Sequence, residues 1–158
     1  MPIDDIEGIR RILSQYKTVA MVGLSANWHR PSNFAAKYLL DHGYQVIPVN
    51  PAYGEVLGQK CYPDLKSIPQ KVDIVDIFRK PADVPPIVED AIAIGARCVW
   101  LQLGVINEEA TRRAEEAGLE TVVDRCMKIE YARLFGGLNF IGVNTKVISA
   151  KRPKTLAY

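Results

Sequence analysis

The chain has 158 residues, room for one domain with a buried core and too few for two. Its apolar fraction of 48% and charged fraction of 24% are those of an ordinary soluble globular protein, and a net charge of +2 is far from the basic excess of a nucleic-acid binder. No apolar run approaches the roughly 18 residues that cross a bilayer. Met1 to Glu7 is acidic where a secretory signal is basic. The expectation is a cytoplasmic protein with neither a nucleic acid nor a membrane as partner. Cys61, Cys98 and Cys126 are odd in number and lack metal-ligand spacing. Cys98, inside an apolar run, reads as a core thiol, and a structural disulfide is unusual in that compartment.

In chain order, Asp4 to Tyr16 reads as an amphipathic helix. Ile6, Ile9, Leu13 and Tyr16 share one face, with Asp4 as cap and Glu7 three residues on. Thr18 to Leu24 is a buried strand. Ser32 to Asp41 follows as a helix capped by Ser32 and ended near Gly43. Gln45 to Val49 is a second strand, stopped by Pro51. The stretch from Pro51 to Gln70 breaks the rhythm, with a short extended piece at Glu55 to Leu57 and a missing or shortened helix. Asp73 to Phe78 is the third strand. Ala82 to Ile94 is a helix that tolerates Pro85 and Pro86 in its first turn and stops at Gly95. Arg97 to Leu103 is the fourth strand, and Asn107 caps a helix ending at Gly118. Glu120 to Val123 is the fifth strand, and Lys128 to Leu134 the last helix. From Gly136 onward the chain reads as an irregular tail, basic at Lys151 to Lys154. Continuous apolar strands alternating with helices predict one α/β domain spanning residues 1–158, with a core over 18–134. Its five-stranded, mostly parallel sheet is covered by helices on both faces.

The most informative stretch is V-A-M-V-G-L-S-A-N-W-H-R-P-S, residues 19–32. A buried strand meets Gly23, a polar loop carries Ser25, Asn27, His29 and Arg30, and Pro31-Ser32 opens a helix. A glycine lets a ligand approach the backbone, and a helix N-terminus beside a fixed cation suits a phosphate. In open parallel sheets ligands bind beyond the carboxyl ends of the strands, where strand order reverses. For a chain that starts with its central strand, that point follows the first strand. The dinucleotide fingerprint G-x-G-x-x-G is absent, because no glycine occurs between Gly23 and Gly43. The acid that would hold a ribose at the end of the second strand is also absent, since Asn50 and Pro51 follow Val49. Both absences count against NAD and FAD. An NADP site, kept as an alternative, would want a cation there and finds none.

Five short motifs occur in order. They are G-L-S-A-N-W-H-R-P-S, G-Y-Q-V-I-P-V-N-P, G-Q-K-C-Y-P-D-L, D-I-V-D-I-F-R-K and W-L-Q-L-G-V. Over Thr18 to Leu134 the chain resembles the small single-domain CoA-binding proteins, which are similar to the N-terminal CoA-binding domain of the succinyl-CoA synthetase alpha subunit. The resemblance implies a Rossmann-like fold with coenzyme A, or an acyl-CoA, along the strand ends. It places Gly23 and Ser25 at the pyrophosphate, and Arg30, Pro31 and Ser32 at a phosphate on the helix start. Val49, Asn50 and Pro51 would border the adenosine, with Lys60 reaching a phosphate. Phe78, Arg79 and Lys80 would flank the ligand, and Leu103 and Gly104 the pantetheine arm. Several cations suit a ligand with a pyrophosphate and a 3′-phosphate, arginine by bidentate contact and lysine as a point charge.

No residue is singled out as catalytic, and no zinc motif, P-loop or nucleophile elbow occurs. His42, before Gly43 at a helix end, reads as structural. Asp73, Asp76 and Asp124 at strand ends read as loop caps or arginine partners. The expectation is a noncatalytic CoA-binding protein, with a second copy of the chain or an unidentified protein as further partner. Two enzymatic alternatives remain: an acyl-CoA synthetase-like half, and a CoA-dependent thiol redox protein using Cys126. A third alternative is a pure interaction module with Trp28 and Trp100 on its interface.

Overall fold

The computed structural model describes residues 1–136; the expected tail lies outside the described residues, apart from Gly136. Five parallel strands form the sheet: β1 (Thr18–Val22), β2 (Gln45–Val49), β5 (Ile74–Ile77), β6 (Cys98–Leu101) and β7 (Glu120–Val123), in the order β2-β1-β5-β6-β7. A two-stranded antiparallel hairpin, β3 (Glu55–Val56) with β4 (Gln59–Lys60), stands apart. The helices are α1 (Ile6–Gln15), α2 (Pro31–Asp41), α3 (Val84–Ala93), α4 (Glu108–Glu116) and α5 (Met127–Phe135). None is long and apolar enough to cross a membrane among the described residues.

Strand alternation divides the interior into two cores. Val19 and Met21 of β1, Ile74 of β5 and Trp100 of β6 face α1, α2 and α5. Ala20, Val75, Val99 and Leu101, one residue out of phase, face α3 and α4. This is the α/β, Rossmann-like, doubly covered parallel sheet expected from the sequence. The central strand β1 lies between β2 and β5, so the switch point falls at its carboxyl end.

Local differences have local causes. Asp5, not Asp4, caps α1, accepting the Gly8 N–H at 3.0 Å. Pro31 is preset for the first helical turn, so α2 begins there with Arg30 at the cap, and Ser32 is not the cap. The extended piece at Glu55 is one arm of the hairpin, turned by Leu57 and Gly58, both at positive φ (51° and 74°). A single 3-10 turn, Leu65–Ser67, stands where a regular unit has its helix. Trp100 is fully buried and donates its indole N–H to the Arg125 carbonyl at 2.9 Å, so it is not part of an interface. Cys98 is a core thiol as expected, and Cys61 and Cys126 are buried too.

Candidate functional site

The chain itself requires Gly23. Its φ is +87°, and a Cβ there would lie 2.3 Å from the Phe78 carbonyl oxygen and 3.0 Å from Cδ of Arg79. The missing side chain therefore admits the β5 exit and the stem of Arg79 as well as opening the backbone to the rim. The loop that follows is stapled from within. Ser25 N–H donates to Ser32 Oγ (3.0 Å), and Asn33 Nδ2 donates to the Ser25 carbonyl (2.9 Å). Asn50 Nδ2 donates to the Leu24 carbonyl at 3.1 Å, tying the β2 exit to the same loop. Ser32 and Asn33 are buried, whereas the stretch from Ala26 to Pro31 is exposed.

Three hollows open along this edge. The first, about 300 Å³, lies between Val49, Asn50 and Pro51 on one side and Arg79, Asp83 and Ile87 on the other, with Gly23 at its wall. The second, about 320 Å³, is framed by Gly23, Ser25, Arg30, Pro31, Ser32 and Phe78. The third, about 850 Å³, runs from Arg30 and Phe78 past Arg79 and Lys80 to Gln102 and Leu103. Lys60 and Gly104 line none of the three. Lys60 Nζ sits over the Tyr62 ring at 5.2 Å, and Gly104 N–H donates to Asp124 Oδ1 at 2.8 Å. The remaining expected residues converge on these hollows. Asp83 and Gln102 line them as well and were not expected. Asp83 is hidden in a helix-start sequence, and Gln102 inside an apolar strand run, so neither announces itself.

Arg30 and Lys80 have no ion pair or hydrogen bond from their side chains among the described residues, while Arg79 Nη2 is held by Asp83 Oδ2 at 3.1 Å. Like-signed side chains held at a rim with water on one side favour an anion. His29 packs edge-on against Trp28, which is 74% exposed. His42 donates from Nδ1 to the Tyr38 carbonyl at 2.7 Å and stacks on that ring, a structural role.

Behind the rim, Asp76 lies between Met21 and Trp100 in the strand register and is fully buried. Neither of its carboxylate oxygens has a hydrogen-bond partner among the described residues. Burial alone pushes its carboxyl well above the usual range. Asp76 thus neither caps a loop nor pairs with arginine, unlike Asp73, which accepts the Lys17 and Thr18 N–H groups, and Asp124. Gln102 Oε1 and both carboxylate oxygens of the buried Glu130 are unpartnered as well among the described residues. Burial also raises the Cys126 thiol, against a hydrogen bond from the Gln102 side chain. A raised thiol holds little of the nucleophilic thiolate. No group of three or more His, Cys, Asp or Glu side chains could hold a metal ion among the described residues.

Known proteins match this arrangement. The chain is 39% identical over 124 residues to YneT, an uncharacterised protein of Bacillus subtilis, covering 78% of this chain and 92% of that one. The solved structure of a hypothetical protein from Pyrococcus horikoshii superposes with a TM-score of 0.83 at 51% identity, covering 86% of this chain and 97% of that one. An ADP-forming acetate–CoA ligase of Archaeoglobus fulgidus is 30% identical over 121 residues, which is 70% of this chain and 18% of the ligase. The profile of the CoA binding domain matches residues 17–132, and the chain therefore belongs to that family, related to the CoA-binding part of ADP-forming, succinyl-CoA synthetase-like ligases.

Proposed function

We propose that the protein binds coenzyme A or an acyl-CoA along the carboxyl edge of the sheet, without catalysing a reaction on it. The observation that carries this reading is the convergence of Arg30, Arg79 and Lys80 on adjoining hollows at the switch point of a CoA-binding-family chain. The adenosine lies in the hollow bordered by Val49, Asn50 and Pro51. The pyrophosphate rests by Gly23, Ser25 and Arg30 at the start of α2, where backbone N–H groups and the helix dipole favour negative charge. The pantetheine arm runs past Phe78 and Leu103 toward Gln102. Pro31 and Ser32 shape the phosphate end, while Lys60 and Gly104, set back from the hollows, serve a ligand only from a distance. The protein works in the cytoplasm, holding the cofactor or delivering it to a second copy or another protein.

Burial of Cys126 weighs against a thiol exchange reaction. The experiment is a thermal-shift panel of CoA, acetyl-CoA, dephospho-CoA and NADP. A CoA species at a hundred times its Kd should add about 2.7 kcal/mol to stability. Arg30→Ala should weaken CoA binding by about 1.5–3 kcal/mol, the loss of a charged hydrogen bond, without unfolding the chain. A shift with NADP and none with any CoA species would overturn the proposal.

A further inference from the structure

We propose that Asp83 is an internal competitor for the ligand: its carboxylate holds Arg79 across the path between two hollows and must yield that guanidinium to a phosphate before the site can fill. This deepens the coenzyme A reading and rests on it. Arg79 and Asp83 both line the adenosine-side hollow and the larger pantetheine-side hollow, and their ion pair stands between the two. The stem of Arg79 is set in place at its root, because the absent Cβ of Gly23 is what admits Cδ. Among the described residues the head is held only by Asp83 Oδ2 at 3.1 Å, with both side chains more than two-fifths exposed. Such an exposed pair is worth little by itself and opens readily. A ligand that lays its adenosine in one hollow and its thiol arm in the other has to pass this partition. Its pyrophosphate offers Arg79 a doubly charged bidentate acceptor in place of a single carboxylate. The Asp83 side chain makes no capping hydrogen bond to α3, so a neutral amide in its place removes none.

The competition has a signature that simple repulsion between Asp83 and the ligand lacks: it operates through Arg79. Calorimetric titration of CoA into wild type, D83N, R79A and the double variant R79A/D83N, at low and at high salt, reads it. D83N should bind CoA three- to tenfold more tightly than wild type at low salt, and the gain should shrink at high salt. In the R79A background the same substitution should change affinity by less than twofold. Unchanged or weaker binding by D83N, or an equal gain with and without Arg79, would overturn the competition while leaving the CoA reading intact. Absence of CoA binding in all four proteins, with circular dichroism showing them folded, would overturn the CoA reading and the competition with it. Binding by D83N alone would support both.

Discussion

Polar groups stand at both ends of the sheet face that carries α1, α2 and α5, and the two ends treat them in opposite ways. At the amino ends of the strands Glu120 takes two hydrogen bonds from the Arg11 guanidinium and a third from Tyr16 Oη at 2.6 Å. Tyr44 donates its hydroxyl to the Leu13 carbonyl at 2.5 Å, and Asp73 accepts two backbone N–H groups. At the carboxyl ends Asp76, Gln102 Oε1 and Glu130 are buried without partners among the described residues. A satisfied end contributes to stability, whereas an unsatisfied one costs it, by about 1–3 kcal/mol per buried group. The costly end is the one where the hollows open. A chain whose sequence otherwise agrees with its fold departs from that agreement beside the surface we assign to the ligand.

The contrast can be broken most severely from the opposite face. Leu101, next in sequence to Gln102, sits wholly buried in the apolar core under α3 and α4. Leu101→Ala should cost about 2–5 kcal/mol in urea unfolding, almost independently of pH, because it removes only packing. Asp76→Asn should carry the other sign. Burial favours the protonated form of Asp76 in the folded chain, while the unfolded chain loses that proton above about pH 4. Folding therefore takes up a proton, and wild-type stability declines as pH rises from there toward the raised folded value. The neutral amide should therefore be stabilising at pH 8, a gain that shrinks as the pH falls toward 4. Parallel melts across that range check both the sign and the slope. The smallest effect belongs to the satisfied end. Hydrogen bonds from Arg11 hold Glu120 below the ordinary carboxylate range, so its contribution is complete above about pH 5 and is lost on acidification. Glu120→Gln should cost about 1 kcal/mol at pH 7 and progressively less on acidification, as urea melts at pH 7 and at acidic pH would show.

The contrast was only half legible in the sequence. Continuous apolar runs and helix stops gave the five strands of the main sheet, the five helices and the location of the switch point, because strands covered on both faces turn apolar side chains into two cores. The rim residues were legible for a related reason: Arg30, Arg79 and Lys80 follow strands, and residues that follow parallel strands share one edge. Caps were less so. Ser32 is a good capping residue by type, but Pro31 starts the helix before it, and its hydroxyl goes to Ser25 instead. The position of Asp76 was visible and its condition was not. A strand aspartate invites the reading of an ion pair, and only the neighbouring chain segments reveal that Met21 and Trp100 surround it. Asp83 failed to stand out because its meaning depends on Arg79, four residues earlier, swinging back across the opening.

The two tryptophans divide the molecule into optical zones. Trp100, sealed beneath α5 with its indole N–H bound to a carbonyl, should emit in the blue and resist acrylamide. Trp28, projecting from the loop ahead of Arg30, should emit in the red and be readily quenched. One spectrum thus carries separate channels for the integrity of the interior and for events at the rim, with no added dye.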